Sequence, residues 1–197
     1  MMTERVTLAH GDGGEATHRL IAEVFYPAFG NPALLQGGDS ALLDLPGAGR
    51  LAMTTDSFVV QPLFFPGGDL GRLAVCGTVN DLSVAGARPL WLSAGFIIEE
   101  GFPVDDLRRL VASMAAAAAE AGVQIVTGDT KVVGRGQADG CFINTAGVGL
   151  VPQGRDLGAH RIGTGQAILI SGPVGEHGVA VLSARAGLAF ETPVRSD

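Results

Sequence analysis

Val104-Asp-Asp-Leu-Arg-Arg-Leu-Val-Ala-Ser-Met-Ala-Ala-Ala-Ala-Ala-Glu-Ala-Gly-Val-Gln-Ile-Val-Thr-Gly-Asp-Thr-Lys131 is the stretch on which the fold turns. Leu107, Leu110, Val111, Met114 and Ala118 share one stripe at helical spacing, while Asp105, Asp106, Arg108 and Arg109 fall elsewhere. That pattern predicts an amphipathic helix over 104–121, stopped by Gly122. Val123 to Thr127 then reads as a strand that delivers Gly128-Asp129-Thr130-Lys131 at its end. A helix that feeds directly into a strand implies a core built from both.

The same alternation extends outward. A helix is expected from Asp69 to Ala85, with Asp69 as N-cap and Leu70, Ala74, Gly77 and Asp81 on one stripe. That stripe places Asp81 on the buried side. Another helix is expected from Ala16 to Ala28, with Leu20, Ile21, Val24 and Phe25 on one face. Strands are read at Val6 to Leu8, Leu42 to Leu45, Leu51 to Thr54, Leu90 to Ile98 and Cys141 to Val151. A Pro46-Gly47 turn joins the second and third of these. Pro62 to Gly68 reads as a loop with an apolar interior, and Gly134 to Gly140 as a glycine-rich loop. The Gly- and polar-rich segment from Pro152 to Gly165 suggests a boundary, followed by a strand at Ala167 to Ser171 and a helix from Gly178 to Gly187. One strand and one helix bury no core alone, so residues 154–197 are expected to begin a second domain after a complete first one over 1–153.

With 197 residues, 47 % of them hydrophobic, the chain has material for a core. The net charge of −7 argues against nucleic acid as a main partner, since phosphate backbones need a basic footprint. Nucleotides remain open, because metal bridges their phosphates. Cys76 and Cys141 are too few for a disulfide scaffold and read as small core residues. No basic region followed by an apolar run marks the N-terminus, and no apolar segment is long enough to span a bilayer, so a cytoplasmic protein off the membrane is expected.

Chemistry concentrates in polar motifs flanked by apolar sequence: Asp39 in Gly-Gly-Asp-Ser-Ala, Asp56 in Thr-Thr-Asp-Ser, Asp81 in Val-Asn-Asp-Leu and Asp129 in Gly-Asp-Thr-Lys. Converging, they would form a hard oxygen site for magnesium and phosphates. Lys131 adds a point charge suited to phosphate. Taken singly, each aspartate is equally a turn residue, a strand-end cap or an arginine partner, and Lys131 a solvated lysine. The loop of His10, Gly11, Asp12, Gly13 and Gly14 can bring backbone N–H groups close to phosphate oxygens, or it is a tight turn before a helix. The loop from Gly172 to Gly178, with Gly175 and Gly178, also opens a helix. Neither fits the Walker or dinucleotide patterns, and the four histidines lack zinc-ligand spacing.

Longer phrases carry a resemblance. They are Thr54-Thr-Asp-Ser-Phe-Val-Val60, Pro62-Leu-Phe-Phe-Pro-Gly-Gly-Asp69, Cys76-Gly-Thr-Val-Asn-Asp81, Glu99-Glu-Gly-Phe-Pro103, Val126-Thr-Gly-Asp-Thr-Lys-Val-Val133, Phe142-Ile-Asn-Thr-Ala-Gly-Val-Gly149 and Ser171-Gly-Pro-Val-Gly-Glu-His-Gly178. Together they resemble the HypE family of hydrogenase maturation proteins, within the superfamily of aminoimidazole ribonucleotide synthetase, selenophosphate synthetase and thiamine monophosphate kinase. The resemblance implies an α+β fold, with a mixed sheet packed on helices, and a homodimer formed through its strands.

It also implies an activity. A carbamoyl group received from the carbamoyltransferase HypF on a C-terminal cysteine is dehydrated with ATP and Mg2+ to a thiocyanate. The cyanide then passes to the hydrogenase iron through the HypC–HypD complex. The site residues implied are Asp39, Asp56, Asp81 and Asp129 for metal, Lys131 and Asp81 for catalysis, and Thr55, Thr78, Asn80, Lys131 and the two glycine loops for the nucleotide. The last residues, Val194-Arg-Ser-Asp197, depart from the family's cysteine-ending tail, and no cysteine follows Cys141. The expectation is therefore a fragment or a shortened relative that lacks the carrier thiol. Two other readings stay open: a different ATP-using enzyme of the superfamily, and a non-catalytic dimerisation or docking module.

Overall fold

A computed structural model describes residues 5–36, 46–47, 49–188, 190, 192 and 194–196. In chain order, α1 (Glu15–Leu20) runs through a π-helical turn (Ile21–Phe25) into α2 (Tyr26–Phe29). Pro27 has no N–H to offer Glu23, and the wider turn falls just before it. Next come β1 (Gly49–Phe58), a small hairpin of β2 (Phe64–Phe65) and β3 (Gly68–Asp69), and α3 (Leu70–Val84). β4 (Arg88–Glu99), α4 (Val104–Ala121), β5 (Gln124–Val133), β6 (Cys141–Pro152) and α5 (Glu176–Ala186) complete the order.

The main sheet has the order β1-β6-β4-β5. β4 and β5 run parallel, joined by α4 as the crossover that a parallel pair requires. β6 runs antiparallel to both β1 and β4, so the sheet is mixed, as expected. Leu92, Ala94, Phe96 and Ile98 alternate inward along β4 and meet Leu107, Leu110, Val111 and Met114 of α4 in one core with Leu70, Ala74 and Val75 of α3. The stripe read from the sequence of α4 is buried throughout. Gly122 ends that helix with φ +68°, a left-handed conformation suited to glycine. The Asp69 carboxylate caps α3 by accepting from the Arg72 N–H at 3.0 Å.

The opposite face of the sheet carries Leu51, Met53, Trp91, Ile97, Phe142 and Val148, which alternate with the buried set. Met53 is 75 % exposed.

Several expectations need correction. Val6 to Leu8 is not a strand. Arg5 forms an isolated bridge to Pro103, Val6 exchanges backbone hydrogen bonds with Phe102 and Gly101, and Leu8–Gly11 is a 3-10 turn. Gly128 to Lys131 lies inside β5, not at its end, because the ladder with β4 continues to Glu99↔Val133. The Pro62 to Gly68 loop contains β2 and the start of β3. Ala167 to Ser171 is not a strand: Ile168 is 94 % and Leu169 90 % exposed, with no neighbouring strand among the described residues to pair them. Asp81 is exposed, because the buried stripe of α3 runs through Leu70, Gly71, Ala74, Val75, Thr78 and Leu82. The strand expected at Leu42 to Leu45 lies outside the described residues.

Two consequences are measurable. A Cβ on Gly71 would collide with the Leu110 carbonyl of α4. Gly71→Ala should therefore cost about 2 kcal/mol of stability in urea unfolding, as overpacking does. The Glu99 carboxylate accepts from the N–H groups of Gly136 and Gly140, and these bonds hold its pKa below the ordinary carboxylate range. A depressed folded-state pKa gives stability that is present above the unfolded value, about 4.3, and is lost as pH falls through the folded value. The stability difference between the parent and Glu99→Gln should hold from neutral pH down to that range and shrink at lower pH.

Candidate functional site

β1 and α3 meet along a seam set by small residues. The place of a Cβ on Gly77 lies 2.7 Å from the Phe58 ring and 3.8 Å from Asp56 Oδ2. On the same face of β1, Thr54 Oγ1 donates to Asp81 Oδ2 at 2.8 Å. Asp56 and Asp81 thus flank one seam, and Asn80 is exposed beside it. Thr55 faces the other side of the sheet, where its hydroxyl donates to the Thr145 carbonyl at 3.1 Å. Asn144 of β6 reaches over to donate to the Asp56 carbonyl at 2.9 Å and to Ser57 Oγ at 3.0 Å.

Asp129 is elsewhere. The row Ser57↔Asn144↔Gly95↔Asp129 crosses the whole sheet. Three strand spacings amount to about 14 Å. Asp56, next to Ser57, points to the opposite face. A single chain therefore does not bring Asp56, Asp81 and Asp129 together, and among the described residues no three acidic, histidine or cysteine side chains are close enough to hold a metal. Asp39 lies outside the described residues. Lys131 is exposed on the same face of β5 as Asp129 and pairs in register with Ile97. Gly128 is required by packing, because a Cβ there would strike the Ala94 carbonyl.

Asp129 borders a cleft of about 510 Å³ between β5 and the first helices, lined also by Gly11, Asp12, Gly13, Thr17 and His18. The glycine loop is partly occupied with itself. Gly13 N–H donates to Thr17 Oγ1 at 3.0 Å and Gly14 N–H to Asp12 Oδ1 at 2.9 Å. Gly11 presses on β5, where a Cβ would lie 2.6 Å from Val132 N. His10 is 7 % exposed, and its Nδ1 accepts from Thr7 N–H at 3.0 Å. These N–H groups thus serve the turn that leads into α1. Thr17 and His18 escaped the sequence reading because nothing in their spacing marked them.

Thr78 also departs from expectation. Fully buried, it hydrogen-bonds Thr145 Oγ1 at 2.5 Å, out of reach of a ligand. Gly175 and Gly178 sit at the start of α5, which docks on the β2–β3 hairpin through His177 against Phe65, ring centroids 5.5 Å apart. That places them beside the N-terminal end of α3, whereas Asp81 is near its C-terminal end. Cys141 is buried, with its thiol pushed up to about 12 by desolvation; Cys76 is only half-buried, although burial raises its thiol as well. Iodoacetamide at mildly alkaline pH should label Cys76 on the native chain and Cys141 only after denaturation, as read by peptide mass spectrometry.

Comparison with known proteins gives a consistent picture. The family described as AIR synthase related protein, N-terminal domain, matches residues 37–151. The carbamoyl dehydratase HypE of Bradyrhizobium diazoefficiens is 59 % identical over 192 residues, covering 98 % of this chain and 55 % of its own length. A crystal structure of the hydrogenase maturation protein HypE in complex with ATP superposes with a TM-score of 0.93 at 56 % identity, over 96 % of this chain and 56 % of that one. A chain of a HypE–HypF complex gives a TM-score of 0.74 at 57 % identity, over 90 % and 57 %. The chain spans little more than half the length of the relatives it matches.

Proposed function

This chain belongs to the AIR synthase related family, in its HypE branch, and from that membership we propose that it carries the ATP-binding part of a hydrogenase maturation enzyme. The observation that carries the reading is the Asp56–Asp81 seam. Magnesium commonly takes one or two carboxylates plus the phosphates of its nucleotide, and the seam supplies that number of hard oxygen donors. Bound there, Mg2+ would offset phosphate charge during transfer. The similar protein crystallised with ATP supports the choice of nucleotide.

Asp129 and Lys131 enter through assembly. The apolar outer face and the two edge strands, β1 and β5, suit pairing with a second copy. In the homodimer, Asp129 of the partner subunit and Lys131 of the partner subunit complete the site begun by Asp56 and Asp81. Lys131 supplies a compact positive charge to the phosphates.

The reaction is the dehydration of a thiocarboxamide. Its amide oxygen takes the γ-phosphoryl group of ATP and leaves as phosphate. The nitrogen gives up both protons, and a thiocyanate remains. The complex of a similar chain with HypF supports HypF as a partner, with carbamoyl donation as its proposed role and HypC–HypD as the proposed acceptor. Residues 1–153 form the ATP-binding and dimerisation domain, and 154–197 open a second one. A cytoplasmic location is part of the proposed reading. Among the described residues no helix is long and apolar enough to cross a membrane.

Isothermal titration tests the reading. Lys131→Ala should weaken ATP binding about ten-fold, as loss of a charged contact does, and leave adenosine unchanged. Equal loss for both ligands assigns Lys131 to the fold instead. Mixing Asp81→Asn and Asp129→Asn chains tests the shared site. A mixed dimer contains one site with both native carboxylates only if each site draws on two chains, so mixing should recover MgATP binding that neither variant shows alone.

A further inference from the structure

Thr78 and Thr145 are both fully buried, and their hydroxyl oxygens lie 2.5 Å apart. Thr145 Oγ1 also donates to the Ala74 carbonyl of α3 at 2.9 Å. A hydroxyl has one proton, so Thr145 directs its own to Ala74 and must accept from Thr78. The direction of the pair is thereby fixed. Thr78 donates to Thr145, and Thr145 donates back to the turn of α3 just before Thr78.

This two-point attachment lies against close contacts. The place of a Cβ on Gly147 is 2.7 Å from Thr78 Cγ2 and 2.9 Å from Leu82 Cδ1, and that on Gly77 is 2.7 Å from the Phe58 ring. Helix and sheet touch too closely for α3 to roll or slide while the hydroxyl pair is intact. The location of the pair matters as well. Thr145 is the cross-strand partner of Asp56, and Asp81 is one helical turn beyond Thr78, where it accepts from Thr54.

We infer that Thr78 and Thr145 are positioning residues that set Asp81 relative to Asp56 for a magnesium–nucleotide complex. The inference rests on the reading that this seam serves MgATP. Neither hydroxyl touches ligand; they act through the placement of α3. Groups that orient metal ligands from behind change metal affinity by about ten- to a hundred-fold when lost.

The test is ATP binding by the intact chain as Mg2+ is varied, with adenosine binding and the thermal midpoint measured alongside. Thr78→Val keeps the volume and removes the donor. It should shift the Mg2+ dependence about ten-fold toward higher concentration, with adenosine affinity unchanged, and Thr78→Ser should restore it. If Thr78→Val does not fold, Thr78→Ala serves for the same reading, since it removes the donor without crowding. Asp81→Asn is the control and should abolish the Mg2+ dependence. A normal Mg2+ dependence in Thr78→Val or Thr78→Ala, with loss in Asp81→Asn, overturns the positioning role and leaves the seam as the site. A normal Mg2+ dependence in Asp81→Asn, or no Mg2+-dependent ATP binding by the parent chain, overturns the site reading and this inference together.

Discussion

The close approach of α3 to the sheet is the constraint on which the rest depends. Helices usually stand off a sheet by the thickness of their side chains. Here a small residue sits at each close contact: Gly77 under the Phe58 ring and Gly147 under Thr78. A short gap leaves little room for water or for rotamer change, so the polar groups trapped in it must satisfy each other. Thr78, Thr145 and the Ala74 carbonyl do so, and no buried side-chain polar atom among the described residues lacks a partner. The carboxylates at the rim of the gap inherit its rigidity.

How much of this was legible depended on the kind of signal. α4 was readable to the residue, because eighteen residues of helical periodicity end at a glycine that adopts the left-handed conformation. β4 was readable as an apolar run and β6 as the apolar segment that follows a glycine-rich loop. Asp81 was misplaced because Leu70, Ala74 and Gly77 share a stripe with it, yet the helix turns its burial toward Thr78 and Leu82. Periodicity names a face but not which of two adjacent faces the sheet will take. The resemblance implies Thr78 as a ligand contact, and only the packing shows that its hydroxyl faces inward. Ile168 to Ile170 has the composition of a strand, but a strand is defined by a neighbour, and the described residues give it none.

Sequence order also concealed the division of the acidic residues. Asp56, Asp81 and Asp129 follow one another along the chain as if contributing to one pocket. Sheet topology separates them, because β6 and β4 lie between β1 and β5. The residues of one motif set are therefore distributed between two edges, an arrangement that becomes economical only when two copies meet. In the proposed homodimer, covering the apolar outer face and completing the site would be the same event.

Met53 stands on that face, on the edge strand β1, with most of its side chain in solvent. Its thioether is open to peroxide on a solitary chain, and in the proposed dimer it would be shielded. Oxidation would place a polar sulfoxide where an apolar contact is required. Under that proposal, chemical damage would fall first on chains that have not found a counterpart and would keep them from doing so, and one exposed sulfur would act as a quality check on assembly.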